Sequence, residues 1–379
     1  PVIHFRRECQ NQRLKIHLRQ LTQIQEPQAN SAWTVPVCIR FLSDQQNTQC
    51  VVISENDYVW QTIMPCRASF VPNADAAGYY RWTIEQNDWP ELIAKTSKLS
   101  TVEAMEVADN LSYGFNNGQI TAQQYWALAP TLGQHASPVV SEQLLDDGEF
   151  FLYRATPVEH IATTRQWFIR MPWINDQTQT ELLKRFYALE VRDAKFRDRI
   201  TNIISDVRSL ESRQLTQDPI ALAVLLEEHP AWITKFTDLL CHETRGEIRA
   251  DIVKAMSMIR DPKAHKMAIS AMTNQCIGNN EQWSLLQRWL ASPPVQNATY
   301  EFVVHHFEEL KATQPAFRIT ELAALSGYFC DMAEFNSARE FLSQKLDNTP
   351  GIIENFENAR TRTERCVALK NKHNPLNLH

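Results

Sequence analysis

Glycine is scarce in this sequence: only nine of the 379 residues are glycine, against a usual share of about 7%. Phosphate-cradling loops need closely spaced glycines, and neither GxGxxG nor GxxxxGK[ST] occurs. A GxSxG nucleophile elbow is also absent. The sequence therefore excludes the common nucleotide-binding loops and the α/β-hydrolase type of site, and it favours packed helices.

Long apolar runs and a basic charge balance are lacking as well. No stretch reaches the roughly 18 consecutive apolar residues that a membrane span needs. The net charge of −6 argues against nucleic acid as the main partner, because neutralising phosphates requires a basic surface. The N-terminal region is locally basic, and we interpret its charges as a solvated strand face (Arg6, Arg7, Arg13, Lys15 and Arg19).

The eight cysteines contain no CxxC pair and give no sign of a zinc ribbon. Four of them lie among the first 66 residues, and one disulfide there stays open as an alternative. We favour buried thiols that are not oxidised, which indicates a reducing compartment and a cytoplasmic location. The chain opens at Pro1 inside an alternating pattern, which indicates a start within or just before a domain.

The first ninety or so residues have the pattern of strands. Leu14, Ile16 and Leu18 alternate with polar residues, which is typical of a half-buried strand, and residues 10–12 offer a turn. Several short strands at this spacing predict a small antiparallel sandwich. Pro36 marks an edge or a bulge, because proline cannot donate to a ladder. The further strands are predicted at residues 35–42, 49–54, 58–63 and 79–84.

Helix start and stop signals dominate after about residue 92. Ser100 with Glu103 and Thr121 with Gln124 are capping boxes, and Gly118 stands where a left-handed helix stop is needed. A capping residue before proline predicts three further helix starts, at Thr156-Pro157, Asp218-Pro219 and Asp261-Pro262. Positions 218 and 261 are 43 residues apart, within the roughly 40–47 residues of HEAT and armadillo repeats.

These patterns predict a mainly α fold with a small all-β N-terminal domain. Residues 1–92 form a β-sandwich, and residues 93–379 form an irregular HEAT/armadillo-like α-helical solenoid. Such stacks curve, and their concave faces bind or enclose other molecules. Apolar stripes at helical spacing mark two of the helices, at Ile248, Ile252, Val253, Met256 and Ile259, and at Tyr300, Val303, Val304, Phe307 and Leu310.

The chain offers no convincing catalytic, cofactor-binding or metal-ligating residues. The segment 241–246 begins like a zincin helix, but Gly246 stands at the second histidine position, so we interpret it as a junction between helices. His305 and His306 lack a partner histidine at 309, and we expect His305 to be packed or half-exposed. Trp283 and Trp289 are expected in the core. The charged stretch 190–199 is interpreted as a solvated helix face.

Several segments, in order, resemble the C-terminal part of M1-family zinc aminopeptidases. Residues 33–37 are similar to the family's W-x-[IV]-P strand. Asn73 followed by Gly78-Tyr79-Tyr80-Arg81 is similar to its N-x-x-x-x-G-Y-Y-R run. The helix start at Ser100 and the closing segments 329–341 and 357–372 follow the family's layout, so the resemblance covers essentially the whole chain. The family residues carried over are structural: Trp33, Pro36, Asn73, Gly78, Tyr79, Tyr80 and Arg81.

The resemblance implies a β-sandwich joined to a helical bowl that closes over the zinc site of an upstream catalytic domain. The implied function is that of the non-catalytic C-terminal half of an aminopeptidase that removes N-terminal residues from peptides. Zinc is implied only in the upstream domain, and the implied partners are that domain and the peptide substrate. Residues 104–107 echo the family's amine-binding loop, which we take as coincidence. The alternative is a helical-repeat interaction scaffold from a catalytically inactive M1-like protein.

Overall fold

The structure is a computed structural model, and it describes residues 1–21, 32–42, 47–170, 180–202, 218–346 and 349–373. A small N-terminal β region is followed by helices, so the chain is mainly α as predicted. Two compact units are present: Pro1–Gly148, and Glu149–Arg170 with Glu181–Pro375. The predicted division at residue 92 falls within the first helix, Asp88–Ile93, and as a domain boundary it stays a prediction.

The described strands of the first unit form two sheets, with strand orders β5-β2-β1-β7 and β4-β3-β6. All pairs are antiparallel except β1 with β7, which is parallel. The prediction of a wholly antiparallel sandwich is therefore wrong at that edge, because β7 arrives through a long connection rather than a hairpin. The strands are β1 (Val2–Gln10), β2 (Arg13–Leu21), β3 (Val35–Phe41), β4 (Asn47–Ile53), β5 (Asp57–Pro65), β6 (Phe70–Val71) and β7 (Arg81–Ile84).

The two sheets meet through aromatic rings. Phe70 of the second sheet lies 6.2 Å from the ring centroid of Phe5 in the first. The predicted turn between β1 and β2 is confirmed, with Asn11 and Gln12 both left-handed, as hairpin turns require. Pro36 lies opposite Val52 of β4, whereas β6 pairs only with the far end of β3. Pro36 therefore has a local edge position, as predicted.

The helices begin in the first unit and continue to the end of the described chain. Two of them, α5 and α7, run on into π-helical turns, at Phe151–Ala155 and Phe186–Val191. The first unit contains α1 (Asp88–Ile93), α2 (Thr101–Asn116), α3 (Ala122–Leu132) and α4 (Pro138–Leu145). The second contains α5 (Gly148–Phe150), α6 (Ile161–Ile169), α7 (Glu181–Arg185), α8 (Ala194–Asn202), α9 (Pro219–Glu228), α10 (Trp232–His242), α11 (Gly246–Ser257), α12 (Pro262–Ala271), α13 (Asn279–Leu290), α14 (Gln296–His305), α15 (Phe307–Thr313), α16 (Ala316–Leu325), α17 (Met332–Lys345) and α18 (Ile352–His373).

Most of the predicted helix starts and stops are confirmed. Both capping boxes form, Gly118 is left-handed, and the aspartates at 218 and 261 cap α9 and α12. At Thr156-Pro157 a helical segment does begin directly after Pro157, because a 3₁₀ turn at Val158–His160 runs on into α6. The capping role predicted for Thr156 is wrong. Its hydroxyl donates back to the Phe151 carbonyl at 2.8 Å and closes the π-helical turn.

Consecutive helices of the second unit form two layers. α9 packs on α11 and α11 on α13, while α10 packs on α12 and α12 on α14. Each helix from α9 to α12 thus meets the second helix after it, as in the predicted solenoid. The predicted stripe at 300–310 is divided at His306 between α14 and α15, although Val303, Phe307 and Leu310 are all buried. No described helix is both long and apolar enough to cross a lipid bilayer.

The prediction of reduced cysteines is wrong, because all eight cysteines are paired in disulfides. The partners are 12 to 57 residues apart and meet only once the chain has folded. Cys38 and Cys50, for example, lie opposite each other on β3 and β4. Spacing alone therefore gave no sign of the pairing, which is Cys9–Cys66, Cys38–Cys50, Cys241–Cys276 and Cys330–Cys366.

Candidate functional site

The candidate site of the first unit is the loop between β6 and β7, residues 72–80, which we call the Asn73 loop. Asn73 is buried, and its Oδ1 accepts a hydrogen bond from the Gly78 N–H at 2.8 Å. Its Nδ2 donates to the Gly78 carbonyl at 2.9 Å. A Cβ on Gly78 would lie 2.2 Å from the Tyr80 ring. Only glycine fits at this position, and one side-chain amide holds both of its backbone groups.

The two tyrosines that follow Gly78 point to opposite environments. Tyr80 is buried, and its hydroxyl donates to the Pro72 carbonyl at 2.8 Å. Burial raises the pKa of Tyr80 well above its usual value. Tyr79 lies outside β7, which begins only at residue 81, and its side chain is fully exposed. The predicted strand start at 79 is therefore two residues early.

Arg81 follows directly and binds the carboxylate of Asp109. Its Nη1 donates to Asp109 Oδ2 at 2.7 Å, and its guanidinium lies 5.1 Å from the centre of the Tyr113 ring. Trp33 and Pro36 are not part of this loop. Trp33 precedes β3 with its side chain 66% exposed, and Gln20 holds its backbone N–H and carbonyl.

Glu103, at the start of α2, is a fully buried carboxylate with several donors. Arg40 of β3 donates to both of its oxygens. The N–H groups of Ser100 and of left-handed Asp75 donate at 3.0 and 3.3 Å. Burial alone would raise the pKa of Glu103, but these hydrogen bonds outweigh it, so the pKa is lowered. This carboxylate ties the Asn73 loop to β3 and α2.

Glu106, one turn later on α2, has far fewer partners. Its Oε1 accepts a hydrogen bond from Asn73 Nδ2 at 2.5 Å. Its buried Oε2 faces the indole Nε1–H of Trp82 without reaching hydrogen-bond geometry. Burial therefore dominates and raises the pKa of Glu106 to about 7, with a further contribution from the negative charge of Asp109. Residues 104–107, which echo the amine-binding loop of the M1 family, lie in the interior of α2.

The second unit holds a buried network of charges that sequence reasoning missed. Glu190 is fully buried on the π-helical turn that continues α7. Its Oε1 accepts hydrogen bonds from Arg260 Nε at 3.2 Å and Arg185 Nη1 at 3.4 Å. The prediction of a solvated helix face at 190–199 is wrong at its start, because Glu190 is buried and left-handed Arg192 separates the π-helical turn from α8. Within α8 the prediction holds, since Lys195, Asp198 and Arg199 are exposed. π-helical turns are uncommon and often occur at functional sites. The sequence pattern did not predict one at this position.

Glu227, at the end of α9, continues this network. Its Oε1 accepts from the backbone N–H groups of Arg260 and Asp261 at 2.7 and 2.9 Å. Its Oε2 accepts from Arg192 at 3.1 Å and Arg197 at 3.0 Å. These hydrogen bonds and ion pairs therefore link elements that are far apart in the sequence: α8, α9, the α11–α12 connection and the π-helical turn.

The segments that come nearest to a metal-binding motif have other partners in the structure. At the zincin-like segment, Cys241 is bonded to Cys276 and Glu243 binds Arg245, so it is a junction between α10 and α11 as predicted. His306 pairs with Glu309 at 3.2 Å. Within the ranges that the structure describes, no three histidine, cysteine, aspartate or glutamate side chains are grouped as metal ligands.

Neither protein-family models nor curated proteins give a match to this chain. The likeness to M1 aminopeptidases therefore depends on the residues of the Asn73 loop and on the order of the elements. Of these, the loop is the more specific, because its residues require one another sterically.

Proposed function

We propose that this chain is the non-catalytic C-terminal half of a zinc aminopeptidase that removes N-terminal residues from peptides. The observation that carries the proposal is the interlocking of Asn73, Gly78 and Tyr80 in one loop. A small β-sandwich followed by a two-layered helical array also agrees with the order of elements that the family has.

In the proposed enzyme the chemistry belongs to a domain that precedes this chain. Zinc bound there would polarise the scissile carbonyl and activate water. The helical unit contributes a wall that encloses the substrate, excludes water and gates access. A wall of this kind must keep its shape, and the buried pairs of Glu190 and Glu227 with arginines hold its helices in fixed positions.

The proposal also covers the compartment. The cytoplasmic location that we expected was argued from reduced thiols, and four disulfides remove that argument. Disulfides form and persist in oxidising environments. We therefore place the protein in an oxidising compartment. Labelling of cell fractions with a thiol-specific reagent tests this, since labelling of native protein at all eight cysteines would contradict it.

The test of the function compares this chain with a longer polypeptide that includes the residues encoded before Pro1. Both are purified, supplied with zinc and assayed on an aminoacyl reporter. The chain alone is expected to give no turnover, and the longer polypeptide is expected to give turnover that a zinc chelator abolishes. Turnover by the chain alone would contradict the proposal. A longer polypeptide that folds but stays inactive would favour the alternative, an interaction scaffold.

A further inference from the structure

Helix α2 supports the Asn73 loop and β7 through polar side chains on successive turns. Asn110 Oδ1 accepts a hydrogen bond from the Trp82 backbone N–H at 2.8 Å. Both carboxylate oxygens of Glu103 have donors. Glu106, between these two supports, is the exception, because its buried Oε2 has no hydrogen-bond partner among the described residues. A buried acceptor without a donor is uncommon enough in a folded protein to require an explanation.

The unpaired oxygen of Glu106 faces a second polar atom that also lacks a partner in the described part of the chain, the indole Nε1 of Trp82. The other oxygen, Oε1, accepts from Asn73 Nδ2 at 2.5 Å, and the same Nδ2 group donates to the Gly78 carbonyl at 2.9 Å. The side chain that holds the backbone of Gly78 is therefore also the donor to the Glu106 carboxyl. A change in the charge of Glu106 acts on the loop through this amide.

The charged groups around this carboxyl do not favour its ionised form. Asp109 and Glu103 on the same helix are negative, and Tyr80 of the loop stays a neutral phenol because burial raises its pKa. The guanidiniums of the adjoining strands are bound to other carboxylates. Arg40 of β3 pairs with Glu103. Arg81 of β7 pairs with Asp109. Burial and the negative neighbours together raise the pKa of the carboxyl to about 7.

We propose that Glu106 is a proton-controlled latch for the Asn73 loop. With the carboxyl protonated, the loop stays closed on α2. When the proton leaves to solvent, a negative charge is buried beside a single amide donor. Opening of the loop relieves this by letting water reach Oε2. The loop is therefore closed in mildly acidic solution and opens more often at neutral pH.

The direction of the pH effect follows from the two positions of the loop. In the closed loop the carboxyl has a pKa of about 7, and in the hydrated open loop the pKa returns toward its ordinary value of 4.5. The ratio of open to closed loop therefore rises with pH between about 4.5 and 7 and levels off above about 7. Because one proton is released, the rise is at most about tenfold per pH unit.

Hydrogen exchange of the Gly78 amide tests the latch, because this N–H is the one that Asn73 Oδ1 holds. Exchange into the peptide that covers residues 72–80 is followed by mass spectrometry on the whole chain, and each rate is corrected for the intrinsic rate at that pH. Protection of the loop is expected to fall by about tenfold or more between pH 4.5 and 7 and then to stay constant. Protection that does not change with pH would overturn the latch.

The amides of β2 are the internal control for local opening. The Asn73 loop should exchange faster than β2 at every pH, since a latch opens without unfolding the whole unit. Equal protection of the two segments would indicate unfolding of the unit and would overturn the inference.

Glu106→Gln is the matched variant, because its amide is neutral at every pH. Its loop should keep its protection up to about pH 8, and a pH dependence like that of the wild type would contradict the latch. Asp109→Asn provides a second test that leaves the carboxyl in place. It removes a negative neighbour and frees Arg81, so the fall in protection should level off at a lower pH. A fall that levels off at the wild-type pH or at a higher one would overturn the inference.

Discussion

The Asn73 loop and the charged network of the helical unit differ in how much they depend on buried charges. In the loop, the Asn73 amide holds the backbone of Gly78, and one fully buried carboxylate, Glu103, is paired with Arg40. In the network, several arginines neutralise two buried carboxylates, Glu190 and Glu227, on elements far apart in sequence. A buried charge depends on its partner far more than a neutral amide does. The helical unit should therefore be the more vulnerable to loss of a single side chain.

The largest expected effect is that of Arg260→Ala. It leaves Glu190 buried with only the more distant Arg185 as a donor, which should cost about 3–5 kcal/mol in the free energy of unfolding. Urea unfolding followed by circular dichroism measures this. The double variant Arg260→Met with Glu190→Gln should regain most of the loss, since no uncompensated charge remains. If the free energy of unfolding of Arg260→Ala lay within about 1 kcal/mol of the wild-type value, the proposed difference between the two regions would be contradicted.

Gly78→Ala tests the loop, and its expected effect is somewhat smaller. The added Cβ would lie 2.2 Å from the Tyr80 ring and 2.9 Å from Asn73 Oδ1. Overpacking of this kind typically costs about 1–3 kcal/mol. Gly246→Ala is the matched control, because nothing lies within 4 Å of its Cβ position. The control substitution should be neutral or slightly stabilising in the same urea unfolding experiment. Equal effects of the two substitutions would contradict the interlocked loop.

Glu106→Gln sharpens the contrast between two carboxyl groups on one helix. A carboxyl whose pKa is raised in the folded state binds more protons than the unfolded chain does, so stability falls as pH rises from about 4.5 to about 7. The amide variant should remove this part of the pH dependence and gain about 1–2 kcal/mol above pH 7, after discounting for solvent screening.

Glu103→Gln is the counterpart of that variant. Its pKa is lowered in the folded state, so its stabilisation is present above about pH 4.5 and is lost in more acidic solution. The amide should therefore destabilise at neutral pH, opposite in sign to Glu106→Gln. Unfolding free energies measured between pH 4 and 8 decide this, and the same sign for both substitutions would count against the assigned partners.

The smallest expected effect belongs to an exposed pair. Arg19 donates to Asp57 at 2.6 Å, but both side chains are more than 60% exposed, at 63% and 65%. Arg19→Ala should change the unfolding free energy by about 0.5 kcal/mol or less. The same urea experiment serves, and a loss comparable to that of Arg260→Ala would show that burial does not set the ranking.

The sequence predicted what depends on near neighbours in the chain. The capping boxes at Ser100 and Thr121 and the strand around Ile16 could be read because the residues that form them lie within four positions. The residues of the Asn73 loop could be recognised as well, but Glu103 and Glu106 as its supports could not, since they lie on another element.

The features that could not be predicted from the sequence depend on contacts between residues far apart along the chain. Glu190 and Arg260 are 70 positions apart, and nothing in their neighbourhoods marks them as partners. The left-handed conformation of Arg192 is rare for a residue with a side chain, so the pattern of 190–199 indicated a continuous helix. The disulfides were missed for the same reason, because folding brings Cys9 and Cys66 together across 57 positions.

Metal content tests the central claim most directly. The purified chain is equilibrated with excess zinc, separated from unbound metal by gel filtration and measured by elemental analysis. A protein that shapes a reaction chamber without running the reaction should retain far less than one zinc per chain. One zinc retained per chain, lost together with an aminopeptidase activity when its ligands are substituted, would contradict the account.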